Sequence, residues 1–559
     1  MGISLMAIRE LYHDAATIKA RVAAGEWRNR TLDDCLRRHA AERGGKIVMI
    51  DRKWRLTFAE LDRLAHRVAC GLYQHGIRPG DVISIQLPNW AEWLILHCAA
   101  TKLGAVTNSI GAIYRHSEVG YILGYAETAL LLIPDRYRRF DYTEMVAEIW
   151  PELPHLKHVF VAGQEVPNSM RRFDELLTKS WEDEVSSTTI DSLRPDPNMV
   201  ATLMFTSGTT AEPKGVMHTH NTMGAATVQL NDTFGFAGED IVFMASPIGH
   251  STALIVGARL PVQYGLTTVW QEHWDAEEAV ELIHSEHCTY TLSATPFLHG
   301  LMNAPNASRR KLQSLKTFAC GGAPIPRELV KQADESFGLF VSAIYGSSET
   351  LINSAVSRDA PMARRYGTDG QLIPGVEGRL ADLETGEPVD DDGCGEGELH
   401  IRSAARHAGY YKDPETTRLV NLDDGWYATG DICTLDDEGY VSVVGRMKDM
   451  IIRGGANISA REIEELLFTH AKVVNVACVA MPDPVLSERV CAYVICAPGE
   501  SLTFEEMVNF LRAKRISAWK LPERLEIRDE FPMTPSGKIQ KFLLRQEIAG
   551  LIGEVQLIR

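Results

Sequence analysis

The sequence predicts an α/β fold: a large N-terminal domain of two βα-type sheets with a small β-barrel-like subdomain, followed by a small α+β C-terminal domain. Three observations carry this reading. From about Leu56, short β-rich runs alternate with amphipathic helical segments, the texture of largely parallel sheets covered by helices. After about Ile352 the chain changes to short strands broken by Gly, Pro and acidic turns. From about Met450 it ends in roughly a hundred residues with their own apolar pattern, enough for a separable domain. The corresponding bounds are 1–445, a connector at 446–449, and 450–559.

In chain order, LTFAELDRLAHRVACGLYQHG places Leu61, Leu64, Val68 and Leu72 at helical spacing and stops at a glycine. DVISIQL then reads as a strand and WAEWLILHCAATKLG as a second amphipathic helix. The runs TALLLIP, HVFVAG, ATLMF, DIVFMASP, TTVWQ, TYTLSA, KTFACGG and VSAIYG are further strands, each followed by helical or loop material. Two sheets accommodate them, and no internal repeat is visible. The turn-rich stretch ETGEPVDDDGCGEGELHIR, Glu384 to Arg402, fits a small barrel or sheet. In the tail, IIRGGANIS is a turn punctuated by Gly454 and Gly455, and Ser459 with Glu462 announces the helix REIEELLF as a capping box. Strands NVACVAM and CAYVICA, helix FEEMVNFLRAK, strand RLEIR, loop MTPSGK and the helical run IQKFLLRQEI complete the unit.

Composition narrows the function classes. In 559 residues, 57 basic side chains are outnumbered by 74 acidic ones, for a formal charge of −17. Bulk attraction to nucleic acid or to acidic membranes is therefore not expected. Ten cysteines are scattered singly without a C-x-x-C pair, which argues against a metal cluster or disulfide framework. The opening MGISLMAIRELYHDA carries charges where a signal peptide needs an apolar run, and Met6 sits where a myristoylation motif wants Ser or Thr. No stretch approaches about 18 uncharged apolar residues. A reduced, cytoplasmic, soluble protein without membrane insertion is expected.

Five short segments point to chemistry. TSGTTAEPKGV, Thr206 to Val216, follows the strand ATLMF and combines small hydroxyl residues, glycines and Lys214, a composition suited to phosphate. It is not a Walker loop: counting from Gly208 puts Pro213 at the second glycine and Gly215 at the Ser/Thr. AIYGSSET, Ala343 to Thr350, preceded by FACGGAPIP, places an aromatic face, hydroxyls and the carboxylate of Glu349 within a few residues, so that Ser348 can donate to phosphate and Glu349 can hold Mg²⁺. GWYATGD ends in Asp431, which can accept ribose hydroxyls. VVGRMKDMIIRGG offers the planar fork of Arg446. PMTPSGKIQK presents Lys538 on a Pro/Ser/Gly loop. Singly, each is common in loops that bind nothing.

In this order and at these distances the segments resemble the acyl-adenylate-forming superfamily of acyl-CoA synthetases, stand-alone adenylation enzymes and luciferases, over about Asn29 to Ile548. The resemblance implies the substrates ATP, coenzyme A and a small carboxylic acid, with Mg²⁺. It implies that Thr206, Ser207, Gly208, Thr209, Thr210 and Lys214 hold the outer phosphates, and that Gly321, Gly322, Ala323, Tyr345 and Gly346 frame adenine. Ser348 and Glu349 would serve the α-phosphate and Mg²⁺, Asp431 and Arg446 the ribose. Lys538 would serve the reacting centre, carried by a mobile C-terminal domain that turns about Lys448. That rotation would withdraw Lys538 and bring the Gly454–Asn457 turn, with Gly455, beside an incoming pantetheine. Ala211, Ser348 and Ala460 depart mildly from the usual Gly, Thr and Pro. Pro532 with Gly537-Lys538 also resembles a pattern for regulatory lysine acetylation.

The segment SPIGHSTAL aligns with the start of the family's acyl-pocket helix. There His250 is either a catalytic wall beside the carboxylate or an internal histidine satisfied by backbone, and both readings stand. No acid lies in this segment to pair an α-amino group, which disfavours amino-acid substrates. Ala253, Ala323 and Gly346, with Ile248 and Leu254, would make a small apolar lining for a hydrophobic acid. The overall spelling looks similar to cyclohexanecarboxylate-CoA ligases and medium-chain relatives. Rival readings are a loader of an acyl carrier protein, a non-catalytic homologue and a luciferase-like oxidase. A homodimer is left open.

Overall fold

A computed structural model describes residues 13–206, 213–322, 325–389, 395–454, 456–534 and 538–557. The N-terminal part holds two βα-type sheets, as expected. The seven-stranded sheet runs in the order Lys214–Thr219, Val200–Thr206, Val106–Ser109, Val82–Ile85, Leu130–Pro134, His158–Ala162, Arg171–Arg172. All of its neighbours are parallel except the first pair, a hairpin in which Thr206 stands opposite Lys214. The nine-stranded sheet has six central parallel strands, Phe340–Tyr345, Thr317–Gly321, Tyr290–Ser293, Ile241–Met244, Thr267–Trp270 and Ile47–Ile50, with antiparallel strands at both edges. Parallel strands are buried on both faces, which is why HVFVAG and KTFACGG read as continuous apolar runs rather than alternating ones.

Three local expectations are corrected. The helix Ala91–Leu103 is not amphipathic, because every one of its residues is buried. It packs against Phe58–Gln74, Leu32–Arg43 and the strand Val106–Ser109, and its one basic residue, Lys102, is neutralised inside by Asp33 at 2.5 Å and Asp62 at 2.6 Å. Removing one partner of such a buried cluster costs about 3–5 kcal/mol. The turn-rich region after Ile352 forms an open four-stranded antiparallel sheet, Val376–Ala381, Gly397–Ser403, Tyr427–Leu435 and Val441–Arg446, and does not close into a barrel because its outer strands do not pair with each other. At Ser459 only half of the capping box forms: the hydroxyl accepts from the Glu462 N–H at 3.3 Å, whereas the Glu462 carboxylate is drawn away by Lys520 at 2.6 Å.

The tail is a five-stranded sheet flanked by Ala460–Phe468, Phe504–Ala513 and Lys541–Leu557. Its interior is separate from that of the N-terminal part. Ile458, Ile463, Val490 and Leu511 fill one side, and Ala477, Tyr493, Leu544 and Ile548 fill the other. Between the two bodies lies the short 3₁₀ turn Met447–Asp449. Among the described residues no helix is long and apolar enough to cross a membrane, and the cysteines are free thiols.

Candidate active site

A narrow cavity, open to solvent, lies beyond the carboxyl ends of the central strands of the nine-stranded sheet, the place where open α/β sheets receive ligands. Leu292, Gly321, Ile344 and Gly346 come from those strand ends, His250 and Thr252 from the loop after Ile241–Met244, and Lys538 from the tail. Two glycines are required here, Gly346 by close approach and Gly322 by its backbone conformation. A Cβ on Gly346 would lie 2.0 Å from the Leu351 carbonyl oxygen. Gly322 adopts φ +84°, and its Cα hydrogen side faces Lys538, whose Cε would be 3.5 Å from a Cβ there.

The apolar wall differs from the sequence expectation. Ala253–Arg259 is a π-helical turn, whose wider winding changes which residues face one side. All five apolar residues here belong to the core, but only Ile255 and Val256 also line the cavity, and Ala253, Leu254 and Ile248 do not. Leu292, Ile344, Leu351 and Ile352 complete a wall that sequence reasoning did not assemble, because they come from two strand ends far apart in sequence and the loop after the second. His250 is held by its neighbour Thr252 and also lines the cavity. Its Nδ1 is engaged by the Thr252 hydroxyl at 3.1 Å and the Thr252 N–H at 3.3 Å, and its ring faces the cavity. Burial and then the Lys538 charge push its pKa down to about 3, so the ring is neutral.

The Ser347–Glu349 loop is held from behind by residues that the sequence did not single out. His218, pushed down to about 4 by burial, is neutral. Its Nε2 lies 2.8 Å from the Ser348 carbonyl and must donate there, leaving Nδ1 to accept from the Thr222 hydroxyl at 3.1 Å. The His407 N–H donates to the Glu349 carbonyl at 2.7 Å. On the other side, the Tyr410 hydroxyl donates to Glu349 Oε1 at 3.0 Å, and the Lys214 ammonium lies 5.3 Å from the centre of the Tyr410 ring. Glu349 and the lysine of the Thr206–Lys214 hairpin thus share one aromatic neighbour. The only available signals were the paired histidines of MHTHN after the loop and the YY of GYYKD, neither specific.

Asp431 is buried and engaged on both oxygens, accepting from the Tyr345 hydroxyl at 2.8 Å and from Arg446 Nε at 2.5 Å. Burial, reinforced by the Asp431 charge, raises the Tyr345 phenol, so it remains a donor. Asp431 and Arg446 face each other across neighbouring strands.

Lys538 is placed by the tail's own hydrogen bonds. The Thr534 N–H donates to the Lys538 carbonyl at 2.7 Å, and the Lys538 N–H donates to the Thr534 hydroxyl at 3.0 Å. Nearby, Lys541 is paired with buried Glu464 at 2.7 Å, tying this loop to the helix Ala460–Phe468. Burial, and next the repulsion of Arg446, lowers the Lys538 ammonium to about 8, with Asp431 and Glu349 pulling the other way.

With this geometry the family assignment is direct. Residues 36–411 match the AMP-binding enzyme family, and residues 462–538 match the AMP-binding enzyme C-terminal domain. The chain belongs to the AMP-binding enzyme family. This AMP-binding enzyme is 33% identical over 527 residues to the medium-chain fatty-acid–CoA ligase of Escherichia coli (strain K12), covering 94% of this chain and 91% of that protein. It is 31% identical over 532 residues to the 2,3-dihydroxybenzoate–AMP ligase of Bacillus subtilis (strain 168), covering 94% and 95%. Its fold matches that of ATP-bound MatB from Rhodopseudomonas palustris with a TM-score of 0.82 at 24% identity, over 93% of this chain and 100% of the other.

Within this AMP-binding enzyme, Gly321, Gly322, Gly346, Ser348, His250 and Lys538 meet at one cavity, and Tyr345, Asp431 and Arg446 form a connected group beside it. Thr206 and Lys214 face each other across the base of the loop. Lys448 lies in the connector turn, and Gly454 lies in a hairpin against Leu486, away from the cavity. Ser207, Gly208, Thr209, Thr210, Ala211, Ala323, Gly455, Gly537, Cys394 and Met6 lie outside the described residues.

Proposed function

We propose that this AMP-binding enzyme is an ATP-dependent carboxylate–CoA ligase that activates a hydrophobic carboxylic acid as acyl-AMP and passes the acyl group to coenzyme A. The single observation that carries this reading is the entry of Lys538, a cation on a separate domain, into a cavity whose inner wall is apolar and whose lining includes Ser347 and Ser348, the residues just before Glu349. A carboxylate and ATP repel each other. A fixed cation at their meeting point offsets that repulsion and follows the charge as it moves onto the pyrophosphate leaving group. No general base is needed, because the carboxylate is already a nucleophile.

The remaining roles follow the same logic. Ile255, Val256, Leu292 and Ile344 accept the acyl chain of a medium-chain, alicyclic or aromatic acid. Tyr345 and the Gly321-Gly322 turn flank adenine, and Asp431 has lone pairs left for ribose hydroxyls after its two observed bonds. Thr206 and Lys214 serve the outer phosphates. Among the described residues no group of three His, Cys, Asp or Glu side chains forms a metal cage. Mg²⁺ does not require one, since it is commonly held by one or two carboxylates together with substrate phosphates, so the carboxylate of Glu349 fits it. When bound, the ion neutralises phosphate charge. The free thiols support a reducing, cytoplasmic setting.

The test is ATP/pyrophosphate exchange over straight-chain, alicyclic and aromatic acids, repeated with CoA. Exchange with a hydrophobic acid and AMP release saturating with free CoA is expected. Failure to exchange with any acid overturns the reading, and thiol transfer only to a carrier protein replaces CoA as the acceptor.

The lowered Lys538 pKa adds a pH dependence. Its cation is present below about 8 and lost above it, so kcat/KM for exchange is expected to fall with an alkaline break near that value rather than near the ordinary lysine value of about 10.4. Bound anions restore the charged form and move the break in kcat to higher pH. A kcat/KM profile flat to about pH 10 would show that the Lys538 ammonium is not lowered in the free enzyme.

A further inference from the structure

Asp369, only 5% exposed, belongs to the N-terminal domain, and its carboxylate is met from three elements. The Val443 N–H donates to Oδ2 at 2.9 Å, Arg327 Nη2 stands 3.3 Å from Oδ1, and Arg461 Nη2 lies 3.4 Å from Oδ1 and 3.3 Å from Oδ2. Arg461 comes from the other domain, on the first turn of Ala460–Phe468, where Glu465 steadies its Nε at 2.9 Å. One residue before that helix, the Ser459 hydroxyl donates to the Val444 carbonyl at 2.7 Å.

The same helix governs Lys538. Glu464, one turn beyond Arg461, is the buried partner of Lys541 three residues after Lys538. The helix therefore carries two ties: Arg461 fixes it to the N-terminal domain, and Glu464 fixes the Lys538 loop to it. Moving Lys538 out of the cavity by rotating the tail as a body must part Arg461 from Asp369.

We propose that the Arg461–Asp369 pair is a positioning latch: it holds the tail in the orientation that puts Lys538 in the cavity, and so favours acyl-AMP formation over thiol transfer. This rests on the two-step reading above. Opening is feasible because Asp369 keeps Arg327 and the Val443 N–H when Arg461 leaves, so the buried carboxylate is never left uncompensated. Arg461 in turn keeps Glu465 and moves into water.

The test compares Arg461→Met and Arg461→Lys, alone and with Asp369→Asn, in the full-length enzyme. Two measurements are made: the ratio of pyrophosphate exchange to thioester formation from supplied acyl-AMP, and the rate of tryptic cleavage after Arg446 or Lys448 in the connector. Arg461→Met is expected to lower exchange about fivefold without lowering thioester formation, and to speed connector cleavage by a similar factor. Arg461→Lys, which keeps the charge, should lie near the parent. In the Asp369→Asn background, Arg461→Met should add little further change. Equal losses in both half-reactions, or unchanged connector cleavage, would overturn the latch. Absence of exchange in the parent enzyme would instead overturn the proposed function, and the cleavage rates would still decide the latch.

Discussion

Replacing Lys538 with alanine is expected to slow acyl-AMP formation about a hundred- to thousandfold, the scale of losing a preorganised charge-stabilising group. Thioester formation from supplied acyl-AMP should change little. The asymmetry follows from when the cation is needed. In the first step negative charge moves from the acid and the α-phosphate toward pyrophosphate, and Lys538 is the group of the tail that lines the cavity. In the proposed second step the tail turns away, so its side chain would no longer be there to lose. Folding is not at issue, since the loop is held by Thr534 and by the Lys541–Glu464 pair rather than by the Lys538 ammonium. The measurement is pyrophosphate exchange beside single-turnover thioester formation from synthetic acyl-AMP. Comparable loss in both would show that Lys538 supports the fold or both steps alike.

A proline at Lys448 is expected to produce the opposite split. Lys448 is the middle residue of the 3₁₀ turn Met447–Asp449, and its carbonyl accepts from Arg545 Nη1 at 3.1 Å. Arg545 also pairs with the Asp449 carboxylate, so the final helix grips the connector from the tail side. Proline suits the φ of such a turn but removes rotation about it. Adenylation should therefore fall by no more than about threefold, the cost of restricting Met447 ahead of the ring. Overall turnover with CoA should fall about a hundredfold if this bond supplies the domain rotation. Unchanged turnover in the Lys448→Pro variant would place the pivot elsewhere.

Much of the site was legible because its chemistry sits on contiguous segments. Tyr345, Ser348 and Glu349 are neighbours in sequence, as are Thr206 and Lys214 across one short loop, and residues bound to one strand end have little freedom to be anywhere else. The acyl wall was not legible in the same way. Likeness of SPIGHSTAL to the family's acyl-pocket segment assigned Ala253 and Leu254 to it, whereas the π-helical turn puts Ile255 and Val256 there. Nor could periodicity reveal that Ala91–Leu103 is buried all round, since Glu92 and Lys102 mark a solvent face only when no buried partner awaits them.

By itself, the sequence determined the alternation of strands and helices, the independent core of the tail, and the set of five segments from which the candidate site is built, because periodicity, turn chemistry and motif spacing are local properties of the chain. Only the tertiary structure decided that Lys538 enters the cavity, that His218 and His407 brace the Ser348–Glu349 loop, and that Arg461 reaches Asp369. These contacts join residues far apart in sequence, 92 positions for Arg461 and Asp369 and 130 for His218 and Ser348. They depend on how whole elements pack, which no local pattern encodes.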